Sequence, residues 1–336
     1  MAIIAPALKK VIAALLAVVT MIAPGALGIS NKANSPVNTK TCLLNFAAVA
    51  DTHIYDSADE DNNYSTLMFN LVMNDIGEAN PKMDALVIAG DITDDGEEPQ
   101  WQNAVNLFST VNPAERILMS IGNHDTWTEE SKKSAQNLFV EYSNKITGNK
   151  IKKVYYSTKV NGYYFIFLGS EKAAPDAGAY FSNKQISWLD AEMKKAAKTN
   201  KPIFVVSHWP LNKTHGLPAS FGDDEYNDNT GGMGQQNAKV KKILNKYKNV
   251  FLISGHIHSG FSNKASAEKN GYQSVETYGN ITSLNLPCGA FANGNGHFLP
   301  GSGYNVEVYK NKVIFRARSF AAGCWLPDYD YTIRLK

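Results

Sequence analysis

The sequence has 336 residues, 44% hydrophobic and 19% charged, which fits a globular protein of one large domain or two smaller ones. Its formal net charge of +2 equals the charge of Lys9 and Lys10, so the chain after residue 28 is formally neutral. With no block of like charge and no basic, aromatic-laced stripe, the footprint of a nucleic-acid-coating protein is missing, and no stable nucleic-acid binding is expected.

Residues 1–28, MAIIAPALKKVIAALLAVVTMIAPGALG, place two lysines before an apolar run from Val11 to Ala23 and end in the small-residue pattern Ala26-Leu27-Gly28. That order is the layout of a secretory signal peptide, so the mature protein is expected to be secreted or held at the extracellular surface. The run is short of the ~20 residues needed to cross a bilayer. A cleaved signal and an uncleaved anchor both remain open, and no later run is long enough to span. Residues 29–41, ISNKANSPVNTKT, read as a flexible linker, and 42–336 as one domain. Cys42, Cys288 and Cys324 allow at most one internal disulfide; a Cys288–Cys324 pair and three free thiols are both open.

Apolar runs bounded by turn signals then recur as LLNFAAVAD, DALVIAGD, RILMSIGN, GYYFIFLGS, PIFVVSHWP and VFLISGH, the length and β-branched content of buried strands. Helical spacing fills 66–78, 99–110, 130–146, 183–198 and 234–247. The alternation predicts an α/β architecture with a largely parallel sheet. From about Gly271 the segments NITSLNLP, GYNVEVYKNKVIFRARSF and DYTIRLK read as strands without intervening helices, predicting a second sheet or added antiparallel strands.

The polar residues follow this rhythm. AVADTH, IAGDITDD, SIGNHD, VVSHWP and ISGHIH each sit where a predicted strand ends, which puts them on one rim. The residues gathered there are Asp51, His53, Asp91, Asn123, His208, His256 and His258. Carboxylate, amide and imidazole without thiolate is a ligand set for hard or borderline divalent metals. His256 and His258 would face opposite sides of a regular strand, so a turn is required, with Gly255 and Gly260 supplying backbone freedom. Taken singly, each residue has a plainer reading as a helix cap, a turn residue or a satisfied histidine.

In order and type, D-x-H, G-D-x-x-D, G-N-H-D, a lone His after a strand and G-H-x-H resemble the signature of the calcineurin-like metallophosphoesterases, from Asp51 to His258. The resemblance implies a four-layer α/β/β/α sandwich of two mixed sheets flanked by helices, with residues 271–336 mainly β and completing the second sheet. It also implies two divalent metal ions, Mn, Fe or Zn: Asp51, His53 and His258 on one, Asn123, His208 and His256 on the other, and Asp91 bridging. Paired cations about 3.5–4 Å apart acidify water and clamp phosphate oxygens during in-line attack, so metal hydroxide is the expected nucleophile. His124 is implied as the group that steadies the scissile phosphate and protonates the leaving alkoxide, and Asp94 as its pairing carboxylate. Asp95 and Asp125 are read as solvated turn or cap residues.

GDITDDG lacks the arginine that follows this block in protein Ser/Thr phosphatases, and Asp94 stands where purple acid phosphatases place a tyrosine. Too few residues follow the core to form the further domain of extracellular 5′-nucleotidases. The compact core is most similar to the branch of cyclic nucleotide phosphodiesterases and related secreted bacterial phosphoesterases. A phosphodiesterase acting on a small phosphoester is therefore expected; a phosphomonoesterase, or a non-catalytic binding protein on the same fold, is the alternative. Specificity is assigned to the loops 209–236 and 287–303. His215 and His297, with Trp127, Trp209 and Phe221, are candidates to touch substrate or simply to pack beneath the loops. Oligomeric state is not legible.

Overall fold

The computed structural model describes residues 37–56, 63–128, 134–174, 178–221, 231–263 and 271–336. The expected signal segment, 1–28, and most of the linker lie outside them, as do 130–133 of one expected helix and 222–230 of a loop. Two sheets form. In the first, β1 (Leu44–Val49), β2 (Ala85–Ala89) and β3 (Ile117–Ser120) run parallel, and β10 (Ser302–Val308) pairs antiparallel with β1. β11 (Lys312–Ser319) follows, with β12 (Cys324–Trp325) and β13 (Tyr331–Arg334) antiparallel to it. The second sheet has the order β4 (Tyr156–Val160), β5 (Tyr163–Phe167), β6 (Ile203–Val206), β7 (Val250–Ser254), β9 (Ile281–Asn285), β8 (Val275–Tyr278).

Why the strands read as continuous apolar runs is visible in their packing. In β1, Leu44, Phe46 and Ala48 enter the core between the sheets, whereas Ala47 and Val49 enter the core under the helices. β6 divides likewise: Phe204 and Val206 face the inter-sheet core, Ile203 and Val205 the helices. A strand covered on both faces needs an apolar residue at every position. Helices α1 (Tyr64–Gly77), α2 (Glu98–Thr110) and α3 (Ala135–Thr147) cover the first sheet through Phe69, Met73, Trp101, Leu138 and Phe139. α4 (Asn183–Ala197) and α5 (Asn237–Leu244) cover the second through Leu189, Met193, Val240 and Leu244. The result is the four-layer α/β/β/α sandwich.

Two expectations change. The site-bearing strands do not share one sheet: β1, β2 and β3 lie in the first, β6 and β7 in the second. The trailing strands are also divided, β8 and β9 extending the second sheet while β10–β13 extend the first. A hairpin edge explains the split. β10 pairs with β1 from Leu44↔Val308 to Ala48↔Tyr304, occupying the flank that β2 leaves free. All three cysteines are free thiols, so no Cys288–Cys324 bridge forms. No helix among the described residues is long and apolar enough to cross a membrane.

Candidate metal centre

The loops after β1 and β2 are zipped together. Asp51 N donates to Gly90 O at 3.1 Å, Thr52 N and His53 N to Asp91 O at 2.8 and 3.1 Å, and Ile54 N to Ile92 O at 2.9 Å. Five of the expected site residues occupy the left-handed backbone region: Asp51 (φ 54°), His53 (44°), Asp91 (49°), His256 (76°) and His258 (55°). Non-glycine residues there cost about 1–3 kcal/mol each and persist only where surrounding structure holds them. This answers how two histidines one residue apart serve one pocket: they carry the unusual dihedrals themselves. Gly255 does not supply the positive φ. Its role is close approach, since a Cβ there would lie 2.4 Å from Asp51 Oδ2.

Seven side chains converge in two groups. In one, His53 Nε2 lies 3.2 Å from His258 Nε2, which lies 3.4 Å from Asp51 Oδ1. In the other, His208 Nε2 is 3.0 Å and His256 Nδ1 2.9 Å from Asn123 Oδ1, and the two ring nitrogens are 3.2 Å apart. Asp91 belongs to both: it joins His53, His124 and His258 in one cluster of ligand-type atoms within 4.8 Å of one another, and Asp51 and His208 in another. Asp51, His53, Asp91 and His208 have no exposed surface.

The partners on the far side of each ring fix which nitrogen faces the pocket. His208 Nδ1 donates to Ala89 O at 2.8 Å, and His53 Nδ1 donates to Asp94 Oδ1 at 3.0 Å. Each ring, when neutral, turns the lone pair of Nε2 inward, the outer support expected of metal-binding histidines. Lone pairs facing each other at 3.2 Å repel unless a proton or a cation lies between them. Asp91 Oδ2 is buried and pairs with His208 Nε2 at 3.1 Å. Such a set of imidazole, amide and carboxylate donors fits divalent cations.

Charge follows from the same packing. Burial pushes His53 below the ordinary histidine range despite Asp94, and pushes His256 well below it, with His208 adding to the effect. His208 goes the other way: burial opposes a charge, but Asp91 and Asp51 raise it to about 9. Asp91 is held low, its burial outweighed by the surrounding histidines. Without cations, the proton on His208 partly balances two buried carboxylates.

His124 begins a single 3-10 turn, His124–Thr126, directly after Asn123. Its Nδ1 donates to the main-chain oxygen of Asp94 at 2.6 Å, its ring lies 3.6 Å from that of Trp127, and it meets His53 edge-on at 4.4 Å. The expected pairing of the Asp94 carboxylate with His124 is therefore not made; the carboxylate holds His53, while its own backbone holds His124. The physical reason is the bend at Asp94 and Asp95, directly after the bridge of Thr93 to Ile54, which leaves the Asp94 carbonyl and side chain on different rings. Burial raises Asp94, but hydrogen bonds from His53 and Tyr55 outweigh it and leave the carboxyl below its usual range.

The loop candidates separate. His215 is fully buried, Nδ1 donating to Gln273 O at 2.6 Å and Nε2 accepting from Ser283 Oγ at 2.8 Å, so it fastens the loop to β8 and β9. His297 stacks on Tyr329 at 5.3 Å and its backbone bridges to Phe261. Trp209 is buried edge-on to His208, and Phe221 stacks on His256 at 4.7 Å.

Two residues escaped the sequence reading. Asp125, taken for a solvated turn residue, is fully buried and accepts from Ile92 N (3.0 Å), Thr93 N (2.9 Å), Thr93 Oγ1 (2.8 Å) and Gly122 N (2.9 Å). It ties the loop bearing Asp91 to the loop bearing Asn123. The signal was available, because two consecutive loop amides in ITDD need an acceptor. The other is Phe291, 46% exposed, with its ring 5.0 Å from His53 and 4.7 Å from His258. It lies in the loop 287–303 to which specificity was assigned, but nothing in that loop's sequence singles it out from its neighbours.

Fold and donor set together define the metallophosphoesterase class. The calcineurin-like phosphoesterase model matches residues 44–260, and the chain belongs to that family. Over 221 residues it is 26% identical to a 3′,5′-cyclic-nucleotide phosphodiesterase of Nostoc sp., covering 65% of this chain and 73% of that one. Over 227 residues it is 25% identical to a "probable cyclic nucleotide phosphodiesterase" of Colwellia psychrerythraea, covering 66% and 74%. Among solved structures it is similar to a dimetal phosphatase from Danio rerio, with TM-score 0.55 and 14% identity over 88% of this chain and 100% of that one. A purple acid phosphatase from seeds of yellow lupin, Lupinus luteus, aligns with TM-score 0.57 and 12% identity, covering 87% and 53%. These structural likenesses concern the fold.

Proposed function

We propose that the protein is an exported phosphodiesterase that works with two divalent metal ions, Mn, Fe or Zn. The observation that carries this reading is Asp91, fully buried and common to both donor clusters. Asp51, His53 and His258 would hold one ion and Asn123, His208 and His256 the other, with Asp91 shared. Divalent cations so paired polarise phosphoryl oxygens and acidify water.

The chain's own residues do the rest. Asp94 orients His53 and the Ala89 carbonyl orients His208. His124, with Nδ1 committed to the Asp94 carbonyl, keeps Nε2 for the proton that the leaving alkoxide needs. Diester preference is supported by the two cyclic-nucleotide phosphodiesterase relatives, and export by the pattern of residues 1–28. The substrate is a small phosphoester such as a nucleotide, a lipid headgroup or a wall-polymer diester.

Elemental analysis of the purified protein should find two metal equivalents, and turnover of bis-p-nitrophenyl phosphate should exceed that of p-nitrophenyl phosphate. His124→Ala should lose about 10²–10⁴ in kcat with its metal content intact, whereas Asn123→Ala should lose metal. A metal-free protein, a monoester preference or full turnover by His124→Ala would overturn the respective assignment. Mass spectrometry of protein recovered from culture medium tests export: an intact residue 1 would end the signal-peptide reading.

A further inference from the structure

We propose that Phe291 is a stacking platform beside the catalytic pocket, so that the site prefers phosphoesters carrying a flat aromatic group, a nucleobase or an aryl ring, on the leaving-group side. This rests on the phosphoesterase reading above and narrows its substrate class. Phe291 is 46% exposed, yet its ring contacts His53 at 5.0 Å and His258 at 4.7 Å. The other large exposed hydrophobics among the described residues, Leu43, Tyr64, Leu71 and Tyr180, have no ring contact with the site histidines. His124, the group proposed to protonate the leaving oxygen, lies 4.4 Å from the same His53 ring, which puts Phe291 and His124 around one histidine.

The segment carrying Phe291 is not loosely attached. Before it, Cys288 N donates to Ser259 O at 3.0 Å and Gly289 N to Ala50 O at 3.0 Å. After it, Asn293 N donates to His258 O at 2.8 Å, its Nδ2 reaches Ile257 O at 2.5 Å and Ser220 O at 2.8 Å, and Gly260 N donates to Asn295 O at 2.8 Å. Anchored on both sides, the ring is held in place while much of its surface stays in water. An apolar surface presented this rigidly gains most from a flat partner that covers it without reordering the loop. If Phe291 only shielded the histidines, its loss would affect all phosphoesters alike.

Calorimetric titration of the metal-loaded full chain with adenosine monophosphate, phenyl phosphate and ribose 5-phosphate separates the two roles. Wild type should bind adenosine monophosphate about tenfold tighter than ribose 5-phosphate, equivalent to about 1.4 kcal/mol and within the range of one base–aromatic stack. Phe291→Ala should erase that difference and leave ribose 5-phosphate binding unchanged, and Phe291→Trp should retain it. Preference shared by phenyl phosphate assigns the platform to any flat ring; preference confined to adenosine monophosphate assigns it to nucleosides. Equal affinities in wild type, or a preference that survives Phe291→Ala, would overturn the proposal. Intact metal content and bis-p-nitrophenyl phosphate turnover alongside equal affinities would sink the platform alone; their absence from wild type would sink the catalytic reading.

Discussion

Asp125 is the residue whose removal should be felt in both stability and turnover. Its carboxylate is fully buried and accepts from three backbone amides, those of Ile92, Thr93 and Gly122, and from the Thr93 hydroxyl. Asp125→Ala leaves these donors without an acceptor, at about 1–3 kcal/mol for each buried group. Two effects reduce the sum: the loops relax, and the variant no longer buries a carboxylate that desolvation and Asp91 push up to about 6. A net loss of roughly 3–5 kcal/mol results, the scale of a broken buried polar network. At about 2 °C per kcal/mol for a chain of this size, the melting temperature should fall by roughly 6–10 °C. The two loops also carry Asp91 and Asn123, so the folded variant should turn over bis-p-nitrophenyl phosphate roughly 10²-fold more slowly, the penalty for misplacing reacting groups by about 1 Å. Scanning calorimetry and steady-state kinetics on one preparation test both. A melting temperature within about 2 °C of wild type would refute the idea that this carboxylate holds the loops together.

Gly122→Ala would set a Cβ 2.0 Å from Asp91 Oδ1 and 2.4 Å from Asp91 N, so it should sharply reduce both bound metal and kcat; unchanged metal content would count against that close approach. His215 is buried, and desolvation holds it below the ordinary value despite Glu276 and the Gln273 carbonyl. The sign follows: below about pH 6.5 the unfolded chain takes up a proton that folded His215 does not, so stability falls as pH drops toward the folded value. His215→Gln should start less stable yet lose less melting temperature between pH 7 and pH 5, and an equally steep loss would contradict the assignment. Arg318 makes paired bonds to Asp75 at 2.8 and 2.7 Å while lying 4.4 Å over the Trp325 ring. Arg318→Lys loses the fork and the stacking plane and should cost about 1–2 kcal/mol by chemical denaturation, a value that near-zero change would exclude.

How much of this was legible depends on whether the information is local. β1, β2, β6 and β7 announce themselves because burial on both faces demands an apolar residue at every step, and the site residues announce themselves because each directly follows such a run. β4 was missed since it is a part-exposed edge strand, YSTKV, without that pressure. The division of strands between two sheets was also out of reach, because β1 accepts β10 as a neighbour across more than 250 residues of chain. The Asp94 error has a finer cause. Spacing identified a carboxylate near a histidine, but the bend at 94–95 decides which ring the carboxylate meets and which receives only the backbone carbonyl. Phe291 shows the limit most clearly: its ring is brought to His53 and His258 by hydrogen bonds from Cys288, Gly289 and Asn293 to three separate strand-end loops. The candidate donor cluster is thus written at the strand ends, where geometry is fixed by the sheets. What lies across from that cluster is set by loop-to-loop bonds that no periodicity encodes, which is why the sequence could mark 287–303 as a loop over the site but not which of its residues meets His53 and His258.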